Sequence, residues 1–296
     1  MTPLALLRSG RSMMDQRTCL ITGATSGIGR AAALELAKLG YKLILVGRSD
    51  KKLQRTVAEI GEKTGNTGIF PCRCDLSSLR EVRGAAERIK RDHGRIDVLI
   101  NNAGARILRH QLTEERIERT LATNHLGHFV LTLSLIGLLE SSGEARVVNV
   151  SSGAHYGGAG VIDNIRSAKD YDGKKQYADS KLANVLFTYA LADRLKERRI
   201  HVNAVDPGSV ATHFARNNGW LPWLKHRLYY RLKGQLRTPA QGAETIVYLA
   251  SSEDVRGKTG KYFRDGKENR SSVISYDRTV QEALWASSVE LSGVDI

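Results

Sequence analysis

Thr22-Gly23-Ala24-Thr25-Ser26-Gly27-Ile28-Gly29 follows the apolar run Cys19-Leu20-Ile21 and precedes Ala31-Ala32-Ala33-Leu34-Glu35-Leu36-Ala37. The order is strand, glycine turn, helix. Glycines allow the tight turn and let backbone N–H groups approach a pyrophosphate, whose charge is favoured by the positive end of the helix. A glycine cluster alone also fits a structural turn. The strand before it and the helix after it supply the context that a dinucleotide site needs.

Outward from this turn, apolar runs of strand length alternate with helical periodicity. Strands are expected at 17–22, 42–47, 68–74, 96–101, 145–150, 200–205 and 261–263. Helices are expected at 28–39, 51–63, 78–92, 113–139, 176–198 and 239–250, with a last one at 277–291 that carries Val280, Leu284 and Val289 and packs on the rim. Strands joined by helices of crossover length imply an α/β fold of the Rossmann type. The expected form is a doubly wound parallel sheet of seven strands in one domain spanning 17–296. Ligands of such sheets bind at the carboxyl ends of the strands. Asn101-Asn102-Ala103-Gly104, after Val98-Leu99-Ile100, and Ser151-Ser152, after Val147-Val148-Asn149-Val150, both lie at such ends.

Tyr177-Ala178-Asp179-Ser180-Lys181 puts a phenol and an ammonium about one helical turn apart on one face. A nearby cation favours the phenolate and so brings the phenol toward proton exchange near neutrality. Alone, the spacing also describes a surface pair. Together with the glycine turn, the amide pair and the serines, it resembles the short-chain dehydrogenase/reductase superfamily from about Thr18 to Phe263. Thr123-Asn124-His125-Leu126-Gly127-His128-Phe129, Ser180-Lys181-Leu182-Ala183-Asn184-Val185-Leu186-Phe187 and the long Ser152-to-Tyr177 separation are similar to the retinol dehydrogenase branch, a neighbour of the protochlorophyllide reductases. The insertion Gly153 to Gln176 is expected to form a loop at the rim of the site.

The resemblance implies hydride transfer between a nicotinamide and a carbonyl or alcohol carbon. Charge then grows on the substrate oxygen, which needs a hydrogen-bond donor and a proton source together. Tyr177 would deliver the proton and Ser152, second of its pair in the family pattern, would hold the oxygen. Lys181 would tune Tyr177 and hold the ribose, and Asn124 would complete a proton relay through water. The cofactor would be cradled by Gly23, Thr25, Ser26, Gly27, Ile28 and Gly29. By resemblance Asp75-Leu76 would border the adenine, Asn102-Ala103-Gly104 its ribose side, and Pro207-Gly208 with Thr212 the nicotinamide end.

Cofactor choice is read at the end of the second strand, Leu43-Ile44-Leu45-Val46-Gly47-Arg48. An acid here accepts from a ribose 2′-hydroxyl, whereas Arg attracts a 2′-phosphate. Gly47 holds the acidic position and Arg48 follows, so NADP(H) is expected, with Arg30 as a second candidate cation. Asp50 is expected to cap the next helix.

The chain has 296 residues, of which 41% are hydrophobic, enough for a full core. No run approaches a membrane span. Residues 1–16 are expected to form a flexible extension: Leu4-Ala5-Leu6-Leu7 is too short for a secretory signal, and the membrane anchor that family members often carry here is not expected. Three cysteines give no disulfide framework, so a reducing, cytoplasmic setting is expected. Cys19, Cys72 and Cys74 read as core residues, and no metal is expected. His125, His128 and His155 read as packing or loop residues, although His155 lies close enough to Ser152 to touch substrate.

The net charge is +14. No nucleic-acid-binding signature accompanies it, and most cations, such as Arg80, Arg83, Arg88, Lys90 and Arg91, lie on solvent faces of helices. The segment 209–237 differs: Trp220, Trp223, Leu224, Leu228, Leu232 and Leu236 alternate with Lys225, Arg227, Arg231, Lys233 and Arg237. A lid over an apolar substrate, an interfacial helix touching anionic membrane through 220–237, and simple packing all fit this stripe. The expected activity is an NADP(H)-dependent carbonyl reductase or alcohol dehydrogenase acting on an apolar small molecule. Light-dependent reduction of a double bond and a non-catalytic NADP-binding scaffold or sensor are the alternatives; an oligomer is left open.

Overall fold

The computed structural model describes residues 16–160, 171–210 and 236–295. The N-terminal extension to residue 15, Thr212 and the striped segment from 211 to 235 lie outside them, as does the middle of the insertion, 161–170.

Eight strands are formed: β1 (Thr18–Thr22), β2 (Lys42–Gly47), β3 (Ile69–Arg73), β4 (Val98–Asn101), β5 (Ala145–Val150), β6 (Ile200–Asp206), β7 (Lys261–Arg264) and β8 (Lys267–Asn269). They make one sheet in the order β3-β2-β1-β4-β5-β6-β7-β8. The first seven pair in parallel, as expected for a doubly wound fold. The eighth is an addition to the seven expected: β8 returns antiparallel to β7, with Arg264 opposite Lys267. Asp265 and Gly266 form the two-residue link, both at positive φ (54° and 71°). Such a turn matches the twist of paired strands.

β1, β4 and β5 are buried along their whole length because helices cover both faces of the sheet. Pro71 is tolerated because β3 is an edge strand. One face is covered by α1 (Gly27–Lys38), α2 (Asp50–Thr64) and, late in the chain, α8 (Pro239–Ser251). Leu36, Leu53, Ile60, Ile246 and Leu249 make that layer. The other is covered by α3 (Leu79–Asp92), α5 (Gly127–Ser134), α7 (Gly173–Arg194) and α9 (Arg278–Ser292), through Val82, Ile89, Phe129, Phe187 and Trp285. The last helix thus closes the core rather than resting on its rim. Trp285 packs 5.0 Å from Phe129, and the Arg194 guanidinium lies 4.0 Å over its ring.

The single helix expected over 113–139 is broken into pieces. Arg116 adopts a positive φ of 58° and Leu112 bridges Glu118, so the chain is not yet helical there. Helix starts where the buried Glu118 carboxylate accepts from Thr120 and Leu121 N–H at 2.9 and 2.8 Å. α4 (Arg119–Leu121) leads into a π turn (Ala122–Leu126), then α5, and after Leu135 comes α6 (Ile136–Glu140). A π turn is rare and recurs at functional positions. Here it carries Asn124 and His125.

His125 and His128 are buried against this turn. His125 lies 2.9 Å from Ser288 Oγ and among Phe129 and Phe187. His128 Nδ1 donates to Asn124 O at 3.0 Å, which leaves Nε2 to accept from the Thr22 hydroxyl at 3.0 Å. Burial disfavours the charged ring and pushes His125 down to about 4 and His128 down to about 3.

The unfolded chain binds these two protons below about pH 6.5 and the folded chain does not until about 4 and 3, so stability falls as pH drops through that window. Each ring is worth up to ~1.4 kcal/mol per pH unit there. Urea unfolding at pH 7 and pH 5 is expected to show a loss of roughly 2–4 kcal/mol, reduced in His128→Gln. Equal stability at the two pH values would contradict the buried neutral rings.

Candidate functional site

The glycine turn joins β1 to α1. Gly23 and Gly27 have φ of 68° and 55°, which favours glycine. At Gly29 a Cβ would fall 2.4 Å from Asn102 Nδ2 and 2.6 Å from Gly23 O. The turn therefore lies directly against the chain leaving β4. The start of α1 differs from the other long helices. Ser49, Ser78, Asp172, Thr238 and Asp277 cap α2, α3, α7, α8 and α9 with their side chains. Ser26 makes no such bond, and the first turn of α1 carries no acid. Its N–H groups stay open to an external anion, with Thr25, Ser26 and Ile28 around them. Glycines without room for a Cβ and an uncapped helix start fit the pyrophosphate of a dinucleotide.

The flanking positions divide into two groups. Thr22 Oγ1 accepts from Asn102 and Ala103 N–H at 2.9 and 3.0 Å, and Asn102 Nδ2 donates to Thr22 O at 2.8 Å. Asn102 therefore ties β4 to β1, while Gly104 is exposed beyond it. Asp75 Oδ1 accepts from Ser77 N and Oγ, and Leu76 is buried under Gly127, where a Cβ would meet Leu76 O at 2.3 Å. At the end of β2, Gly47 is buried against Thr25 and Arg48 is exposed, with no ion pair to a described residue. Arg30 instead pairs with Glu59 at 2.9 Å. Ser49, not Asp50, caps α2; Asp50 is its first residue and lies 3.7 Å from Arg73. Pro207 is buried, and Gly208, at φ 76°, donates its N–H to Asp206 Oδ1 at 2.9 Å.

β5 and α7 meet through reciprocal hydrogen bonds. Lys181 Nζ donates to Val150 O at 2.9 Å, Asn184 Nδ2 donates to the same oxygen at 3.2 Å, and Ser151 Oγ donates back to Lys181 O at 2.8 Å. This separates the two serines: Ser151 is buried and committed to α7, whereas Ser152 is partly exposed. Ser152 Oγ accepts from Ala154 N–H at 3.2 Å and caps the short turn Gly153–Gly157. The half-buried Tyr177 ring has its centroid 5.8 Å from Lys181 Nζ. Burial drives the Lys181 ammonium down to about 8, opposed by the Asp206 carboxylate at the end of β6.

Asn124 is also brought here, but its carboxamide is occupied. Oδ1 accepts from Ala105 N–H at 2.7 Å, and Nδ2 donates to Ala105 O and to Ser180 Oγ, both at 2.9 Å. Ser180 Oγ in turn donates to Tyr177 O at 2.8 Å. Asn124 therefore fastens the chain after β4 to the turn of α7 that carries Tyr177. Beneath these groups lies a polar ladder that sequence reading missed. Asn101 Nδ2 donates to Asn149 Oδ1 at 2.8 Å and to Thr132 Oγ1 at 2.9 Å, and Asn149 Nδ2 donates to Thr188 Oγ1 at 3.0 Å. An Asn near the end of each of two adjacent strands was the available signal. Cys72 and Cys74 pack in one core layer and Cys19 in the other.

Among the described residues no helix is long and apolar enough to cross a membrane. The short chain dehydrogenase family model matches residues 17–219. Human retinol dehydrogenase 14 is 38% identical over 95% of this chain and 88% of its own length. Human polyprenol dehydrogenase is 38% identical over 94% of this chain and 86% of its own. An uncharacterized protein of known structure from Mycobacterium paratuberculosis superimposes with a TM-score of 0.75 at 30% identity, covering 95% of this chain and 94% of that one. The open helix start, the strand-end amides and the Tyr177/Lys181 pair thus sit in a chain whose whole length has such relatives: it belongs to the short chain dehydrogenase family of nicotinamide-dependent oxidoreductases, in its retinol dehydrogenase-like branch.

Proposed function

We propose that the protein is an NADP(H)-dependent carbonyl reductase, reversibly an alcohol dehydrogenase, acting on an apolar aldehyde or ketone. One observation carries the reading: the half-buried Tyr177 ring lies 5.8 Å from the buried Lys181 ammonium, which is bonded to Val150 O, two residues before the more open of two serines. When bound, the nicotinamide supplies the hydride for the carbonyl carbon. Ser152 Oγ donates to the carbonyl oxygen as charge builds there, and Tyr177 passes its proton to that oxygen. Carbonyl, hydride and proton together make the alcohol; the reverse reaction returns both to the protein and cofactor.

Lys181 makes the phenolate less costly to form while it remains charged. Asn124 acts by position: it holds Ala105 and, through Ser180, the Tyr177 turn, rather than offering its own amide hydrogens to a relay. Gly23 to Gly29 and Gly104 would bound the dinucleotide, with Pro207 and Gly208 at the nicotinamide end. Support for an apolar substrate comes from the relatives, whose names specify retinol and polyprenol, both long isoprenoid alcohols. Support for the 2′-phosphate comes from Arg48, exposed beside Gly47 and forming no ion pair with a described residue.

Tyr177→Phe keeps the ring and removes the proton donor. Turnover of an apolar aldehyde should fall at least ~10²-fold with NADPH binding retained, as read by absorbance and by fluorescence titration; near-parental turnover would remove Tyr177 from the mechanism. Arg48→Ala should weaken NADPH much more than NADH, because only the phosphate loses a charge-assisted contact. Equal dissociation constants for the two cofactors in the parent protein would argue against the assignment.

A further inference from the structure

Ser152 must present its hydroxyl at a fixed distance from Tyr177, yet the two stand on different elements, a strand end and a helix. The main-chain carbonyl of Ser152 receives two hydrogen bonds from one residue: the His155 N–H at 3.0 Å and His155 Nδ1 at 2.8 Å. A carbonyl only accepts, so Nδ1 carries the ring proton. The opposite nitrogen, Nε2, accepts the main-chain N–H of Ser272 at 3.0 Å, and an amide only donates. Two independent partners therefore select one neutral tautomer. The ring is 0% exposed, with Tyr156 and Tyr262 at centroid distances of 4.0 and 4.9 Å. It has no route to a substrate.

Ser272 is itself held to α7. Ser275 Oγ donates to Ser272 O at 2.6 Å and lies 2.7 Å from Ser271 Oγ, which is 2.6 Å from the hydroxyl of Tyr189. Tyr189 belongs to the same helix as Tyr177 and Lys181. The path Ser152–His155–Ser272–Ser275–Ser271–Tyr189 thus links the end of β5 to α7 by hydrogen bonds.

We propose that His155 is a positioning residue for the reaction, a strut that sets the Ser152 hydroxyl against the Tyr177 phenol through its bonds to Ser152 O and Ser272 N. This rests on the reading that Ser152 holds the substrate oxygen. A misplacement near 1 Å can cost about 10²-fold in rate without touching the chemistry. His155→Gln keeps an acceptor near Nε2 and loses the donor at Nδ1; His155→Asn keeps a donor near Nδ1 and loses the acceptor. Each breaks one end of the strut.

The test measures kcat for retinaldehyde reduction and the NADPH dissociation constant in the two His155 variants, in Ser152→Ala, and in each double variant, with thermal unfolding to establish folding. The expected result is a kcat lowered between about 10- and 100-fold in any folded His155 variant, an unchanged dissociation constant, and less than about a 2-fold further loss on the Ser152→Ala background. A folded His155 variant with parental kcat overturns the proposal. So does a loss repeated in full on Ser152→Ala, which marks a general structural role. Parental kcat in Ser152→Ala itself overturns the role of Ser152, and the strut with it. Unfolding of both His155 variants overturns the proposal too, because His155 then serves the fold.

Discussion

Everything in the site depends on how α7 is fastened to the end of β5. Lys181 Nζ and Asn184 Nδ2 both reach Val150 O, and Ser151 Oγ reaches back to Lys181 O. Val150 is the last residue of β5, and its carbonyl accepts from two side chains of α7. The same three bonds orient the ammonium, bring Tyr177 to the strand's carboxyl end and leave Ser152 as the first residue not spent on the joint. A change at this joint would alter Lys181, Tyr177 and Ser152, the proposed cofactor contact, proton donor and oxygen-binding hydroxyl, together.

The joint is expensive. An ammonium taken out of water disfavours its own charge, and at Lys181 this effect outweighs the opposing field of Asp206. The surroundings hold it nevertheless, through an interlocked set of polar side chains: the Asn101–Asn149–Thr188 ladder under β4 and β5, the Thr22 hydroxyl shared by Asn102, Ala103 and His128, and Asn124 between Ala105 and Ser180. These groups are buried or partly buried and hydrogen-bonded, so removing one leaves a partner unsatisfied. Such bonding at the carboxyl ends of the strands would let the proposed proton donor and oxygen-binding hydroxyl keep a set distance.

Much of this was legible in the chain. β2 and β5 fall at 42–47 and 145–150 as read, because a strand buried on both faces is rich in apolar and β-branched residues. The glycine turn was legible because steric exclusion leaves no other residue type. β8 was missed although Asp265-Gly266 is a strong hairpin signal, because Lys267, Glu268 and Asn269 are all exposed and show no alternation. The helix over 113–139 was read as continuous because periodicity does not register a π turn or a positive φ at Arg116. Asp50 was expected to cap α2 where Ser49 does, and Ser151 was separated from Ser152 only by the family pattern. Both distinctions depend on which oxygen the folded backbone faces. Asn124 shows the same limit: the resemblance suggested a relay, and only the structure shows its carboxamide bonded to Ala105 and Ser180.

The central claim is that hydride is delivered to a carbonyl carbon while a protein proton goes to its oxygen. The most direct measurement is mass spectrometry, with fragmentation, of the product formed from an apolar aldehyde that the protein reduces and NADPH deuterated at both C4 positions. The account predicts an alcohol with one deuterium, on the carbinol carbon. Deuterium on a carbon of a former double bond, or an alcohol without deuterium, would contradict it.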